Sequence, residues 1–391
     1  MGSTQLKKKL LVTGSTFPRW IGDTEPRFVL DLSEALTEYY DVTALVPAAP
    51  GSQKEEIMNG VRVIRYHYFP IHKWETLCYP GAIVPRIKEK KVRILLVPFL
   101  FISLYVHLFK LLPQFDLVHA HWIIPQGIVQ SYFKKPYIVT GHGGDVTSLN
   151  KGLLRKLKVR CLKHAGYITV VSQHLKSEVL KLYDTKNIDI ISMGCKTENF
   201  GKQYAVTNYF QQNEKKVILF VGRLAEKKGV TYLIEAMKNI DAKLVIVGDG
   251  PLKESLESQA KKQGDKITFL GAKTHKELKT IYASADIFVA PSVTAKDGDQ
   301  EGFGLVMLEA MASGLPIVAS NSGGISDLIY HDINGLLVKE KDVAGIAENV
   351  NKLIKDHDLY DRIVAETQKT VEKYDYKVIA ERYAKIMDGL K

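Results

Sequence analysis

Two α/β domains in series, each built on its own parallel sheet, are what this sequence predicts. Short apolar runs alternate with longer amphipathic stretches along the chain, the pattern of repeated βα units. The alternation breaks over the polar, unpatterned residues 199–215 and then restarts. Strand ends run repeatedly into glycine-bearing loops, such as Gly141-His-Gly-Gly-Asp145 and Gly248-Asp-Gly250. In parallel sheets ligands bind outside those strand ends, against helix N-termini. At 391 residues the chain exceeds the size at which one core stops growing. The expected boundaries are a domain over 1–200, a linker over 201–215, a second domain over 216–370 and a helix over 371–391. That last stretch is long enough to reach back across a domain boundary.

The first domain opens with a basic lead-in, a buried strand Leu10-Leu-Val-Thr13, a loop, a helix from Arg27 to Tyr39 and a strand Asp41-Val-Thr-Ala-Leu-Val46. This β-loop-α-β unit lacks GxGxxG and the acidic residue of a dinucleotide fingerprint. Its loop offers Arg19, Trp20, Asp23 and Arg27 instead. Strand 61–66 follows, then aromatic-rich residues 66–79. The apolar run 92–112 is long enough to span a bilayer, but holds Arg93, Pro98, His107 and Lys110. A span there would divide two βα units, so a buried or membrane-grazing helix is expected.

Strands 117–119 and 137–140 put His119, His121 and His142 along one sheet edge. With no HExxH and no cysteine partner, hydrogen-bonded histidines at a polar strand end are expected over a metal site. His142, flanked by glycines, is best placed to reach a small polar ligand. Residues 151–163 carry six basic and no acidic side chains. Leu153, Leu154, Leu157 and Cys161 fall on one helical face, a basic amphipathic helix that suits either an anionic membrane or a packed helix with a solvated back. Strand 166–172, with Ser172 as a helix cap, and Asp189-Ile-Ile-Ser192 close this half.

The second domain repeats the pattern with strand 216–221, a helix from Gly229 to Met237 and strands 242–247, 267–270 and 287–290. Strands 315–319 and 335–338 complete it. Arg223 and Lys228 bracket the turn after its first strand. A guanidinium grips phosphate oxygens in a fork, and an ammonium adds a point charge beside it. After strand 287–290 comes an acidic loop, Glu301, Gly302-Phe-Gly304, and a helix carrying Glu309. The glycines permit close backbone approach and leave N–H groups outward. If both were helical, Glu301 and Glu309 would lie about 12 Å apart along the axis, too far for a paired-carboxylate hydrolase. With Glu301 in the loop, the two grip different hydroxyls of one extended ligand. No P-loop or kinase signature is present.

Composition narrows the partners. The formal net charge of +11 suggests an anionic ligand or surface. No helix-turn-helix, zinc-finger or RNP pattern accompanies it, so nucleic acid is not expected. Three scattered cysteines and a first apolar run too short for a signal peptide read as a reduced, cytoplasmic protein, with peripheral contact at the inner face of the membrane as an added expectation.

One family gathers these features. The E-x7-E element from Glu301 to Glu309, the GRL-x3-KG turn at Arg223 and Lys228, HAHW and PQG within 119–127, GHGGD at 141–145 and VGDGP at 247–251 resemble the retaining GT-B glycosyltransferases of family 4 over essentially the whole chain. The resemblance implies two Rossmann-like domains facing across a cleft, with residues 371–391 returning to the first. It implies transfer of a hexose from a nucleotide-diphosphate sugar, UDP-linked by preference, to a hydroxyl of a glycan or lipid-linked acceptor, with no metal and no permanently bound cofactor. Catalysis would fall to His142, Glu301, Arg223 and Lys228. Donor binding would add Phe303 and Gly304 through their backbone, the Leu305 and Val306 N–H groups, and Glu309 on the ribose. Arg19, Asp23 and His121 are candidates for the acceptor side.

The chain departs from the family in its first loop, where Phe17-Pro-Arg-Trp20 replaces a glycine pair, and at Ser192-Met-Gly-Cys-Lys196, where lysine stands for the usual acid. The alternatives are a non-catalytic anion- or membrane-binding protein on this fold and a same-fold enzyme acting on a small soluble acceptor. Oligomeric state is not legible.

Overall fold

Most of the apolar runs become strands buried on both faces, as a parallel sheet covered by helices requires. The structure is a computed structural model describing residues 7–23, 25–211, 215–296 and 298–390. Thr24 of the first loop, residues 212–214 of the expected linker, Asp297 of the acidic loop, the first six residues and Lys391 lie outside the described residues. The chain forms two compact units, one holding residues up to Met193 and again from Tyr376, the other Gly194–Asp375.

In the first unit, β1 (Lys9–Thr13), β2 (Asp41–Pro47), β3 (Glu55–Met58), β4 (Val61–Tyr66), β5 (Leu117–His121), β6 (Tyr137–Gly141), β7 (Tyr167–Val170) and β8 (Ile188–Ile190) form one sheet. Its order is β3-β4-β2-β1-β5-β6-β7-β8. Every pairing is parallel except β3 with β4. Strand β3 was not expected, because Glu-Glu-Ile-Met shows no clear alternation. The turn Asn59-Gly60, both residues at positive φ, makes it a hairpin with β4, and Asn-Gly is a hairpin signal in its own right. Ser172 caps helix Gln173–Leu182 as expected, its hydroxyl accepting from the Leu175 N–H.

Two helices of this unit differ from expectation. In Gly152–His164 the buried side chains are Lys158, Cys161 and Leu162, while Leu153 is exposed. Lys158, expected on the solvated back, donates to the carbonyls of Val146 and Ser148 and to the Asn150 amide oxygen. The apolar run 92–112 forms a 3₁₀ segment (Lys91–Leu96) leading into helix Val97–Leu111. Only Leu100, Leu104 and Leu108, one stripe of that helix, are buried, so it is not a buried helix.

The second unit holds β9 (Val217–Val221), β10 (Lys243–Val247), β11 (Ile267–Gly271), β12 (Ile287–Ala290), β13 (Ile317–Ser320) and β14 (Leu336–Val338). All are parallel in the order β11-β10-β9-β12-β13-β14. Alternate residues of β9 feed the two cores, Val217, Leu219 and Val221 on one face and Ile218 and Phe220 on the other. This is the doubly wound order whose direction reverses between β9 and β12, and the crevice at that reversal is where such sheets bind ligands.

Of the expected linker, residues 201–211 lie within the second unit, where Phe210 and the adjoining Phe200 are buried in its core. The expected helix 371–391 is also divided. Helix His357–Glu372 ends at Lys373, and Tyr376–Asp388 starts anew within the first unit.

Candidate active site

Both loops bordering the β9/β12 crevice carry predicted residues, and their backbones are sewn together. The Val293 N–H donates to the Lys227 carbonyl (2.8 Å). Gly229, at φ 62°, sits so close that a Cβ there would lie 1.8 Å from the Pro291 carbonyl oxygen. This contact delivers Lys228 to Glu301, and the two form an ion pair with little side-chain exposure, 15% and 13%. Burial pushes the Glu301 carboxyl up, but the charge and hydrogen bond of Lys228, the charge of Lys227 and the Gly302 N–H outweigh it and hold it below its ordinary value. The Gly324 N–H anchors the Glu301 carbonyl at 3.0 Å.

The ion pair borders a small pocket, lined among others by Lys228, Ser292, Glu301, Gly304 and Val306. Gly304, at φ 78°, is the residue from which helix Leu305–Ala312 starts. The first N–H groups of that helix, on Leu305 and Val306, have no partner within it and mark an anion-favouring corner. The Phe303 side chain is buried against Tyr374. Further along the helix, Glu309 is half-buried and accepts from the Tyr282 hydroxyl at 2.8 Å. Burial and the Glu309 charge keep that phenol protonated.

Arg223 stands apart: it is exposed, makes no side-chain bond to a described residue and is not in the pocket lining. An unpartnered guanidinium at a loop mouth is free to reorient toward an anion.

In the first unit the three histidines do cluster. His121 Nδ1 lies 3.0 Å from His142 Nε2, and His119 Nε2 lies 2.7 Å from the Thr140 hydroxyl. Burial, aided by the neighbouring imidazoles, lowers His119 to about 3 and His121 well below its ordinary value. His142 is half-buried between Phe28 and Trp122 and is lowered by the same desolvation. Asp145 fixes its loop, accepting from the N–H groups of Ile123, His142 and Gly143. Among the described residues no group of three or more His, Cys, Asp or Glu could hold a metal ion.

Comparison with known proteins identifies the scaffold. The family described as Glycosyltransferase Family 4 matches residues 26–199, and that described as Glycosyl transferases group 1 matches residues 207–370. An uncharacterized glycosyltransferase of Methanocaldococcus jannaschii is 32% identical over 292 residues, covering 68% of this chain and 73% of that protein. The chain belongs to glycosyltransferase family 4. It is a nucleotide-sugar-dependent glycosyltransferase on two Rossmann-like α/β domains.

Other relatives of this glycosyltransferase have more specific names. The GDP-mannose-dependent alpha-(1-6)-phosphatidylinositol monomannoside mannosyltransferase of Mycobacterium tuberculosis is 31% identical over 234 residues, 56% of this chain and 61% of that one. Among solved structures, sucrose-phosphate synthase from Thermosynechococcus elongatus superposes with a TM-score of 0.76 at 21% identity, covering 98% of each chain. HepE of Anabaena, in complex with UDP and glucose, gives 0.71 at 18% identity over 98% of this chain and all of that one. At these identities the two structures establish the fold alone.

Within the glycosyltransferase, the second unit brings together Lys228, Glu301, Gly304 and Val306, with Phe303, Leu305 and Glu309 on the same loop and helix. The first-loop candidates fare differently. Arg19 and Asp23 hold each other in a two-point ion pair (2.8 and 2.9 Å), with the guanidinium stacked on Trp20 and Tyr79. They brace the loop rather than offering free groups. His121 has no exposed surface, and its ring reaches His142. Ser292 and Tyr282 were missed. Ser292 follows β12 directly, and a polar residue just past a strand end was the available signal; nothing local points to Tyr282, which comes from another helix.

Proposed function

We propose that this enzyme moves a hexose, with retention at the anomeric carbon, from a nucleoside-diphosphate sugar to a hydroxyl of a glycan or lipid-linked acceptor. The observation that carries the reading is the β9/β12 crevice, where one cation, one carboxylate and a helix N-terminus meet around a small pocket. Lys228, Arg223 and the Leu305 and Val306 N–H groups bind the diphosphate and stabilise the charge that builds on it as the bond to the sugar breaks. Those groups supply the positive charge that a divalent cation gives elsewhere, which supports metal-independent transfer. Glu301 holds sugar hydroxyls and Glu309 the ribose.

The acceptor oxygen attacks on the face from which the diphosphate leaves, and its proton passes to the departing phosphate oxygen. UDP is the favoured carrier, supported by its presence with glucose in the HepE structure; the mycobacterial relative uses GDP-mannose by name. The three buried cysteines, joined by no disulfide among the described residues, support a cytoplasmic setting.

Thermal protection by UDP, GDP and ADP, each alone, tests the donor reading. UDP is expected to raise Tm most, and Lys228→Ala to abolish the rise. Protection by none of the three, or unchanged protection in the variant, would contradict it.

A further inference from the structure

One surface of the first unit has no role in donor binding. The segment Lys91–Gln114 is long and apolar enough to cross a membrane, yet Leu100, Leu104 and Leu108 are packed into the unit. The opposite stripe of the same helix points outward. Phe99, Ile102, Tyr105 and Phe109 are exposed, with Ile102 at 62% and Phe109 at 66%, and Ile94 and Leu95 of the preceding turn continue it. A helix that is apolar on the face it does not bury, at this density, marks an interaction site.

The patch extends beyond one helix. Phe99 meets Phe69, which stacks toward the exposed Trp74, and Tyr105 meets Phe133. Next to Phe133, the exposed Tyr132 lies under the Arg160 guanidinium of the basic helix Gly152–His164.

Charge decides the occupant. From Lys90 through Phe115 the chain has no acidic residue. Lys90, Lys91 and Lys110 are exposed at the ends of the patch, and Lys134 lies beyond Phe133. The basic helix adds exposed Lys151, Arg155, Lys156 and Arg160. A two-fold dimer through this face would set the same lysines against their copies, whereas anionic lipid head groups neutralise them. Tryptophan and tyrosine at the margin suit the interfacial layer of a bilayer. We infer that the outer face of Lys91–Gln114, with its basic margin, docks on an anionic lipid bilayer, the helix lying in the interface with its inner stripe still packed on the unit.

The test is co-sedimentation of the full chain with phosphatidylcholine vesicles, with and without phosphatidylglycerol. Binding is expected only to the anionic vesicles and should weaken with salt. The triple variant Phe99→Asn, Ile102→Asn, Phe109→Asn should lower partitioning by about tenfold or more, and Lys91→Glu with Lys110→Glu should do so independently. Both variants should keep the wild-type Tm and UDP affinity, which separates failure of this surface from failure of the donor site. Wild-type vesicle binding in both variants would overturn the inference. So would resistance to an alkaline carbonate wash, which indicates a span, or a dimer lost in the triple variant while the wild type ignores vesicles.

Discussion

The Lys228–Glu301 pair concentrates the site's chemistry in two side chains that few waters reach. On the proposed donor reading, removing the lysine takes away a diphosphate contact, and it leaves the Glu301 carboxylate without its main countercharge. Lys228→Ala should therefore lower kcat by about a hundredfold or more, and Tm should fall as well. Glu301→Gln keeps shape and some hydrogen bonding, so it should lose turnover with little change in UDP affinity. Glu309→Gln should do the reverse, weakening UDP about tenfold if Glu309 holds the ribose as proposed; titration of UDP alone distinguishes the two.

The histidines make a prediction about pH. His119 titrates near 3 in the folded protein because burial disfavours its charge, against 6.5 unperturbed. Between those values the unfolded chain binds more protons, so this group's contribution is full above pH 6.5 and is lost as pH falls toward 3. Denaturant unfolding at pH 7 and pH 4.5 should show that loss, and His119→Gln should reduce its slope.

Elements position these residues through backbone contacts that side-chain patterns do not reveal. Gly229 is the clearest case. Gly229→Ala would set a methyl 1.8 Å from the Pro291 carbonyl oxygen, forcing the loops after β9 and β12 apart. We expect a loss of about 2 kcal/mol or more, together with loss of the Lys228–Glu301 contact and of activity; chemical denaturation and steady-state kinetics check both. The expectation of two α/β domains followed from periodicity, and helix Leu305–Ala312 lies where the glycine pair and Glu309 placed it. Lys158 shows the limit of the same reasoning. Its place among five other basic residues says solvated, yet three oxygen acceptors in the turn before the helix draw it inside, and burial lowers its amine to about 8.

At the scale of the whole molecule, the chain leaves the first unit at Met193 and re-enters it at Tyr376. Helix Tyr376–Asp388 buries Ile379, Tyr383 and Met387 there. The Tyr383 hydroxyl lies 3.3 and 3.1 Å from the Thr140 and Thr169 hydroxyls, and the Tyr40 hydroxyl reaches Asp388. Ending the chain at Asp375 should therefore destabilise the first unit by roughly 5 kcal/mol or more, from the apolar side chains alone. Calorimetry should show its transition shifted down, with the second unit's less affected.

Most local order was legible in the sequence: the strands other than β3, the helices other than the divided C-terminal one, the cation and glycines after β9 and β12, and the carboxylates eight residues apart. Each depends on neighbours along the chain, where periodicity and residue type act directly. Tertiary structure alone decided that Lys228 meets Glu301, that Arg19 and Asp23 neutralise each other, that His121 is buried against His142, and that the apolar helix shows half its face to solvent. Those outcomes depend on which strands become neighbours and how closely their loops approach, and a contact between residues 228 and 301 leaves no trace in either local pattern.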